Sequence, residues 1–306
     1  MCNMKIIKPK KLQKGDTIGI LAISGKIKEF EKIEKAKKFF EKEGYNVVIS
    51  QTCKTSHRYM AGENDDDCLN TLHNFFEDKN IDAILCARGG YGTLRFIDKI
   101  NWELIEKNPK IFAGFSDITT LLNMIFYKTG LITFHSAMAY GDFGDIPIEY
   151  TQKSFFNTLT GNTKSIKAFN YKSFHSGEAK GTLFGGNLST LISLCGTDFI
   201  QNKDLILFLE DLNEPIYKID KMITQLFNIK EIQNNVKGLA IGEFSNIDNE
   251  EYIDEILQEL ALKYKIPICD GFKITHEKEK ETIPIGIDVT FNANNGTIEF
   301  NNTYLK

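Results

Sequence analysis

Alternation of buried strand runs with amphipathic helices through the first ~150 residues constrains this chain more than any other feature. Asp16 to Ser24 reads DTIGILAIS, continuously apolar and β-branched, as in a strand covered on both faces. Tyr45–Ser50, Ile81–Ala87 and Lys110–Phe115 (KIFAGF) read as further strands, Ile81–Ala87 as a buried one. Between the first two, KIKEFEKIEKAKKFFEKEG places Phe30, Ile33 and Phe40 at helical spacing, and Gly44 suits the left-handed residue that ends a helix. Asp65–Asp78 reads as a second amphipathic helix, another is expected to start near Thr93, and Ile118–Thr129 is strongly helical. Such alternation predicts a mostly parallel Rossmann/flavodoxin-like α/β sheet with helices on both faces.

The chain has 306 residues, about twice the usual domain length, so two domains are expected, with one large α/β domain as the alternative. Residues 161–177 (GNTKSIKAFNYKSFHSG) are polar and lose periodicity, so they read as a linker between an N-terminal domain, 1–160, and a C-terminal domain, 178–306. The second half opens with KGTLFGGNLSTLISLCGTD, read as a short strand, Gly-Gly and a short helix. LILFLE (205–210) and GLAIGEF read as buried strands, and Pro215–Phe227 and Glu250–Lys263 as helices. The closing GIDVTFNANNGTIEFNN alternates around Asn-Asn-Gly, a hairpin signal. A mixed α/β domain is expected there.

Composition removes several function classes. Hydrophobic residues make up 42% and charged residues 25%, enough for a real core and against wholesale disorder. A net charge of −4 lacks the basic footprint of a nucleic-acid partner. No apolar run approaches the ~18 residues of a membrane span, and the basic N-terminus lacks the apolar segment of a secretory signal. A cytoplasmic protein is therefore expected. Six cysteines, at 2, 53, 68, 86, 195 and 269, show neither zinc-knuckle nor thioredoxin-like spacing and read as reduced thiols. Cys86 and Cys195 read as small buried hydrophobes.

Two turns occupy the carboxyl ends of predicted strands, where open α/β sheets bind ligands. Gly114-Phe115-Ser116-Asp117 joins a buried strand to an apolar helix. A tight turn there lifts the serine hydroxyl above the sheet and aims the following N–H groups at the same point, as nucleophilic serine catalysis requires. Ile118 stands where the G-x-S-x-G elbow has its second glycine. The competing reading is a helix N-cap by Ser116 or Asp117, which local sequence alone favours. Arg88-Gly89-Gly90-Tyr91-Gly92 also joins strand to helix, and its glycines let the backbone approach a ligand and present N–H groups. The run matches neither nucleotide-phosphate pattern and reads as an oxyanion donor or as a plain turn. Arg88 pairs either with a substrate carboxylate or within a structural salt bridge.

A nucleophilic serine needs a base, and five histidines exist: His57, His73, His135, His175 and His276. His73 falls in a predicted helix and His175 in the linker. His135, after the apolar LITF, reads as a core histidine or the base. His276, in polar ITHEKEKETIPIG, reads as a surface residue or the base. An orienting acid is offered where LILFLE runs into Glu210 and Asp211. Strand alternation points these two to opposite faces, so only one can serve, and an ordinary strand-ending charge pair is the alternative.

The ordered blocks KGDTIGILAIS, ARGGYGTLRFID, NPKIFAGFSDITTL, TFHSAMAY, LFGGNLSTLISLCGTD, LFLEDLNEPIYKIDKMITQL, GLAIGEF and THEKEKETIPIG span nearly the whole chain. Together they resemble the LD-carboxypeptidase family, serine peptidases that include cytoplasmic muropeptide LD-carboxypeptidases and microcin C immunity proteins. The resemblance implies Ser116 as nucleophile, Glu210 as triad carboxylate and His276 as triad histidine. It also implies an oxyanion hole lined by the Gly90 region and the Asp117 N–H. The family is usually homodimeric, with a serine-bearing N-terminal domain and a C-terminal domain that holds the Glu and His; it needs no metal, and no cofactor is expected. Two departures stand out: Thr275 where the family has glycine before its histidine, and His135-Ser136-Ala137 where it has His-Gly-Pro.

The implied activity is a serine carboxypeptidase that cuts the L,D-bond before the terminal D-alanine of murein tetrapeptides during peptidoglycan recycling. A second enzyme reading is the immunity-type branch, which cleaves the acyl link between a peptide and a nucleotide-like antibiotic. A reading of another class is a non-catalytic small-molecule binder using the Gly89–Gly92 loop. The expected partner is a muropeptide or similar small peptide, with no nucleic acid or membrane, and a second copy of the chain.

Overall fold

A computed structural model of the chain describes residues 5–197, 199 and 203–306. Cys2 lies outside the described residues. Two compact units are present: Met1–Asn162 with Thr282–Pro284 and Tyr304–Lys306, and Thr163–Glu281 with Ile285–Thr303.

The first unit is built on a six-stranded sheet in the order Ile283–Ile285, Thr133–His135, Ile111–Gly114, Ala83–Cys86, Thr17–Leu21 and Asn46–Ile49. The five strands from the N-terminal half pair in parallel, in the flavodoxin-like arrangement the alternation predicts. The strands Ala83–Cys86 and Ile111–Gly114 are buried along their whole length, which explains their unbroken apolar runs. The helix Phe30–Lys42 buries Ile33, Ala36 and Phe40, and Gly44 follows at φ 85°. Phe40 lies 4.7 Å from Phe143 and Phe143 lies 4.9 Å from Phe155, ring centre to ring centre. Each such fully buried ring is worth about 3–5 kcal/mol against alanine. The helix Asp65–Glu77 starts from Asn64, whose side chain accepts the Asp67 N–H, and Asp65, Asp66 and Asp67 face the positive helix end.

The helix expected near Thr93 is replaced by two 3-10 turns, Thr93–Arg95 and Ile97–Lys99, followed by the α-helix Trp102–Lys107. The reason is tertiary. Thr93 N–H is drawn to the Asp117 carboxylate (3.1 Å), and Phe96 sits at φ −126°, outside helical geometry. After the strand Ile111–Gly114, a 3-10 turn Ser116–Ile118 leads into the helix Thr119–Thr129, which Gly130 ends at φ 75°.

The second unit holds an eight-stranded mixed sheet. Its centre is parallel, Glu178–Asn187, Leu205–Leu212, Val236–Ser245 and Ile268–Cys269. Antiparallel strands flank it: Asp288–Asn292, Thr297–Phe300 and Ser165–Lys167 on one side, Ser173–His175 on the other. The stretch read as a linker therefore contributes two short strands. The hairpin signal around Asn294-Asn295-Gly296 is realised, with Gly296 at φ 63°. Glu178–Asn187 runs straight through its Gly-Gly, because a Cβ on Gly185 would lie 2.0 Å from the Phe208 carbonyl oxygen. Ile216–Phe227 and Glu251–Tyr264 are the two long helices, the first entered from Pro215. Among the described residues, no helix is long and apolar enough to cross a membrane.

Candidate active site

In the first unit, the carboxyl ends of Thr17–Leu21, Ala83–Cys86 and Ile111–Gly114 meet at three loops. Ser116 caps the third at φ 62°. A left-handed backbone costs a non-glycine residue on the order of 1–2 kcal/mol and persists only where the surroundings enforce it. Here it stands at the strand-to-helix elbow. Gly89 lies against the serine: a Cβ there would come within 2.7 Å of Ser116 Cβ, 2.8 Å of its Oγ and 3.4 Å of Asp117 N. Gly90 follows at φ 126°, and its Cβ position is taken by Gly25, 2.9 Å from Cα. Gly25 N–H donates to Gly89 O at 3.1 Å, which locks the first loop to the second.

The capping reading fails. Neither the 3-10 turn nor the helix after it receives a side-chain cap, and the Asp117 carboxylate turns away into the protein. Asp117 is buried and accepts from Ser24 Oγ (2.6 Å), Thr93 N (3.1 Å) and Thr93 Oγ1 (3.0 Å). Burial pushes this carboxyl up, and the hydrogen bonds from Ser24 and Thr93 oppose that shift. The side chain thus ties the three loops together, which leaves the Asp117 backbone N–H as its means of meeting a ligand. Arg88 donates from Nη1 to Lys26 O at 2.9 Å and packs its guanidinium over Tyr140, 5.4 Å from the ring centre. No acid pairs with Arg88 among the described residues, so its remaining donors suit an anionic ligand.

In the second unit, Glu210 is fully buried near the end of Leu205–Leu212. Its Oε2 lies 2.7 Å from His276 Nδ1. A carboxylate only accepts, so Nδ1 carries the hydrogen and the neutral ring keeps its lone pair on Nε2. Oε1 is buried with no hydrogen-bond partner among the described residues, so this carboxylate depends on the imidazole for its compensation. Asp211 goes to the opposite face, as strand alternation predicts. It accepts from Asn187 Nδ2 (2.9 Å) and Ser189 N (2.8 Å), anchoring the start of the helix Leu188–Ile192, and burial pushes its carboxyl up. Thr275 is buried, and its Oγ1 accepts the Glu277 N–H at 2.9 Å, shaping the turn behind His276.

The structure therefore brings Ser116 together with Gly89, Gly90 and Asp117 in one unit, and Glu210 together with His276 in the other. Three of the other histidines have these surroundings. His135 is buried edge-on to Phe115, at 5.9 Å, and Ser136 beside it meets Thr282 at 3.1 Å between hydroxyls. His73 Nε2 accepts the Asn101 N–H, and His57 Nδ1 is bonded to Gly62 O. Cys86 is buried as expected, whereas Cys195, three residues past the helix Leu188–Ile192, is half-buried. Ser24, Gly25 and Gly89 were not singled out individually in the sequence. Their only signal was the run of small residues after two adjacent buried strands.

Residues 18–136 match the LD-carboxypeptidase N-terminal domain, and residues 180–291 match the LD-carboxypeptidase C-terminal domain. The chain is 36% identical over 299 residues to the probable murein peptide carboxypeptidase of Bacillus subtilis, covering 94% of this chain and 92% of that one. It is 27% identical over 335 residues to the microcin C7 self-immunity protein MccF of Escherichia coli, covering 95% and 94%. Among solved structures, an MccF-like protein from Bacillus anthracis aligns with a TM-score of 0.86 at 30% identity, covering 95% of this chain and 98% of that one. The reading as a non-catalytic binder gives way to that of a hydrolase. The chain belongs to the LD-carboxypeptidase family of peptidases.

Proposed function

We propose that the chain is a serine carboxypeptidase that releases the terminal D-alanine of murein tetrapeptides, with Ser116, His276 and Glu210 as its triad. The observation that carries this reading is the left-handed backbone of Ser116 at the elbow, φ 62°, pressed against Gly89. That strain lifts a hydroxyl beside the N–H groups at a helix start. In the mechanism, His276 Nε2 takes the Ser116 proton as Oγ attacks the scissile carbonyl. Glu210 holds the ring in the tautomer this needs and gains a counter-charge as the imidazolium forms. Backbone N–H groups of the Gly90 region and Asp117 receive the oxyanion, each worth roughly 3–4 kcal/mol. His276 then protonates the departing amine of D-alanine, and water releases the acyl group from Ser116. Arg88 is assigned to the terminal carboxylate of the substrate, by a charge-assisted hydrogen bond.

The site of action is taken to be the cytoplasm, in peptidoglycan recycling, with the chain as a homodimer. A second reading, cleavage of a peptidyl or aminoacyl nucleotide analogue, draws support from the likeness to the MccF-like protein. One experiment separates the two: D-alanine release from a murein tetrapeptide beside hydrolysis of an aminoacyl-sulfamoyl adenylate, with wild type and Ser116→Ala. The proposal expects turnover of the tetrapeptide by the wild type alone. Turnover of the adenylate alone establishes the second reading, and tetrapeptide turnover by Ser116→Ala removes the serine mechanism.

A further inference from the structure

The loop Gly89–Gly92 carries one arm of the oxyanion hole in the mechanism above, yet its composition works against that task. Three of its four residues are glycine, the residue with the most backbone freedom to lose. An oxyanion hole lowers a barrier only where its donors stand in place before charge develops. Something outside the loop must therefore hold it.

Both ends are clamped. At the first, Gly25 N–H donates to Gly89 O at 3.1 Å, and Gly90 packs onto Gly25. At the second, the Asp117 carboxylate gathers the donors. Its Oδ2 accepts from Thr93 N–H at 3.1 Å, from Thr93 Oγ1 at 3.0 Å and from Ser24 Oγ at 2.6 Å. Gly92 N–H donates to the same carboxylate. Thr120 Oγ1 meets Thr93 Oγ1 at 2.6 Å from the next helix. Ser24, Thr93, Asp117 and Thr120 are all buried, where hydrogen bonds to an ionised group are strongest. A Cβ on Gly92 would lie 3.2 Å from Ser24 Cα, so the first loop also backs this end. Gly90 and Tyr91 are left between the two clamps. Asp117 directly follows Ser116, so the clamp on the donor loop and the elbow under the nucleophile belong to one short piece of chain.

We propose that the Asp117 side chain is a positioning residue: with Ser24 and Thr93 it fixes the Gly90 arm of the oxyanion hole relative to Ser116, while its own N–H forms the other arm. The inference rests on the proposed function, in which these two arms receive the oxyanion. A purely structural tie would lower stability and leave the kinetics of the folded protein alone. Positioning acts on the transition state. Acylation and deacylation both pass through an oxyanion, so a displaced arm lowers kcat whichever step is slower and leaves KM nearly unchanged.

The test measures kcat and KM for D-alanine release from a murein tetrapeptide, with a thermal melt on each preparation, for Asp117→Asn, Ser24→Ala, Thr93→Val and Thr93→Ser. Asp117→Asn keeps the main-chain N–H but turns an amide N–H toward groups that are themselves donors. It is expected to lower kcat by about 100-fold, the loss that goes with a displacement of about 1 Å at the reacting centre, with KM within about three-fold. Ser24→Ala and Thr93→Val each remove one hydroxyl donor and are expected to lose about ten-fold in kcat. Thr93→Ser keeps the hydroxyl and is expected to stay within about two-fold of wild type. Wild-type kcat in a folded Asp117→Asn, or in both Ser24→Ala and Thr93→Val, overturns the inference and leaves the proposed function standing. So does a loss confined to KM, or an equal loss in Thr93→Val and Thr93→Ser, which places the effect in packing. If Asp117→Asn does not fold, the Ser24 and Thr93 variants decide; if these do not fold either, the network serves stability alone and the inference falls. Failure of the wild type to release D-alanine removes the proposed function, and this inference with it.

Discussion

A single methyl group at Gly89 has an effect on Ser116 that follows from the geometry. Its Cβ would stand 2.7 Å from Ser116 Cβ and 2.8 Å from Oγ, where carbon contacts normally settle at about 3.5–4.0 Å. The serine must therefore move by about 1 Å, or the two loops must part by that amount. Gly89 is not among the residues at positive φ, so alanine suits its backbone and the collision is the whole perturbation. Overpacking of this kind costs about 1–3 kcal/mol of stability, which a chain of this size tolerates. A 1 Å misplacement of a reacting group costs about 100-fold in rate. Gly89→Ala is thus expected to stay folded and to lose about two orders of magnitude in kcat, with KM within a few-fold of wild type. Steady-state D-alanine release and a thermal melt on the same preparation measure both quantities. A folded Gly89→Ala protein with kcat within two-fold of wild type refutes the reasoning, because Ser116 would then have no need of its present position.

Three further outcomes follow from particular contacts. Ser116→Gly removes both the hydroxyl and the left-handed strain, so it should gain about 1 kcal/mol in urea denaturation while losing D-alanine release; a less stable variant contradicts the strain argument. Glu210→Gln presents the wrong tautomer to His276 and should lower kcat by about four orders of magnitude, and a loss under ten-fold removes Glu210 from the triad. Lys110, whose Nζ donates to Phe75 O and Asp78 O, has its amine lowered to about 8 by burial. The unfolded chain then binds more protons between pH 8 and 10.5, so this group adds stability as pH rises through that window. Relative to Lys110→Met, the wild type should gain about 1 kcal/mol from pH 7.5 to 10.5, after allowance for solvent at the amine. The buried thiols of Cys53, Cys68 and Cys269, pushed up to about 11, 12 and 12, act in the opposite sense and cancel in the comparison. A flat difference contradicts the reading of Lys110.

The parallel sheet of the first unit was legible because burial on both faces leaves strands such as Ile111–Gly114 no polar positions. The hairpin around Gly296 was legible because a local backbone demand selects glycine. What could not be read depended on partners distant in the chain. Ser165–Lys167 and Ser173–His175 are edge strands with one buried residue each, so their composition is that of a loop. The turns after Gly92 replace a helix because Asp117, 24 residues on, captures the Thr93 N–H. Local sequence favoured a cap at Ser116 or Asp117 for the same reason: the Ser24 and Thr93 groups that take up the Asp117 carboxylate come from other loops. Opposite faces for Glu210 and Asp211 followed from strand alternation, whereas the choice between them rested on the family resemblance.

The central claim is that Ser116 becomes covalently acylated during turnover. Rapid quenching of wild-type protein with a murein tetrapeptide, followed by intact-mass and fragment mass spectrometry, measures this directly. The account predicts a mass increase equal to the tetrapeptide less D-alanine, located on Ser116 and absent from Ser116→Ala. D-Alanine release without any adduct, or with the adduct on another residue, would contradict it.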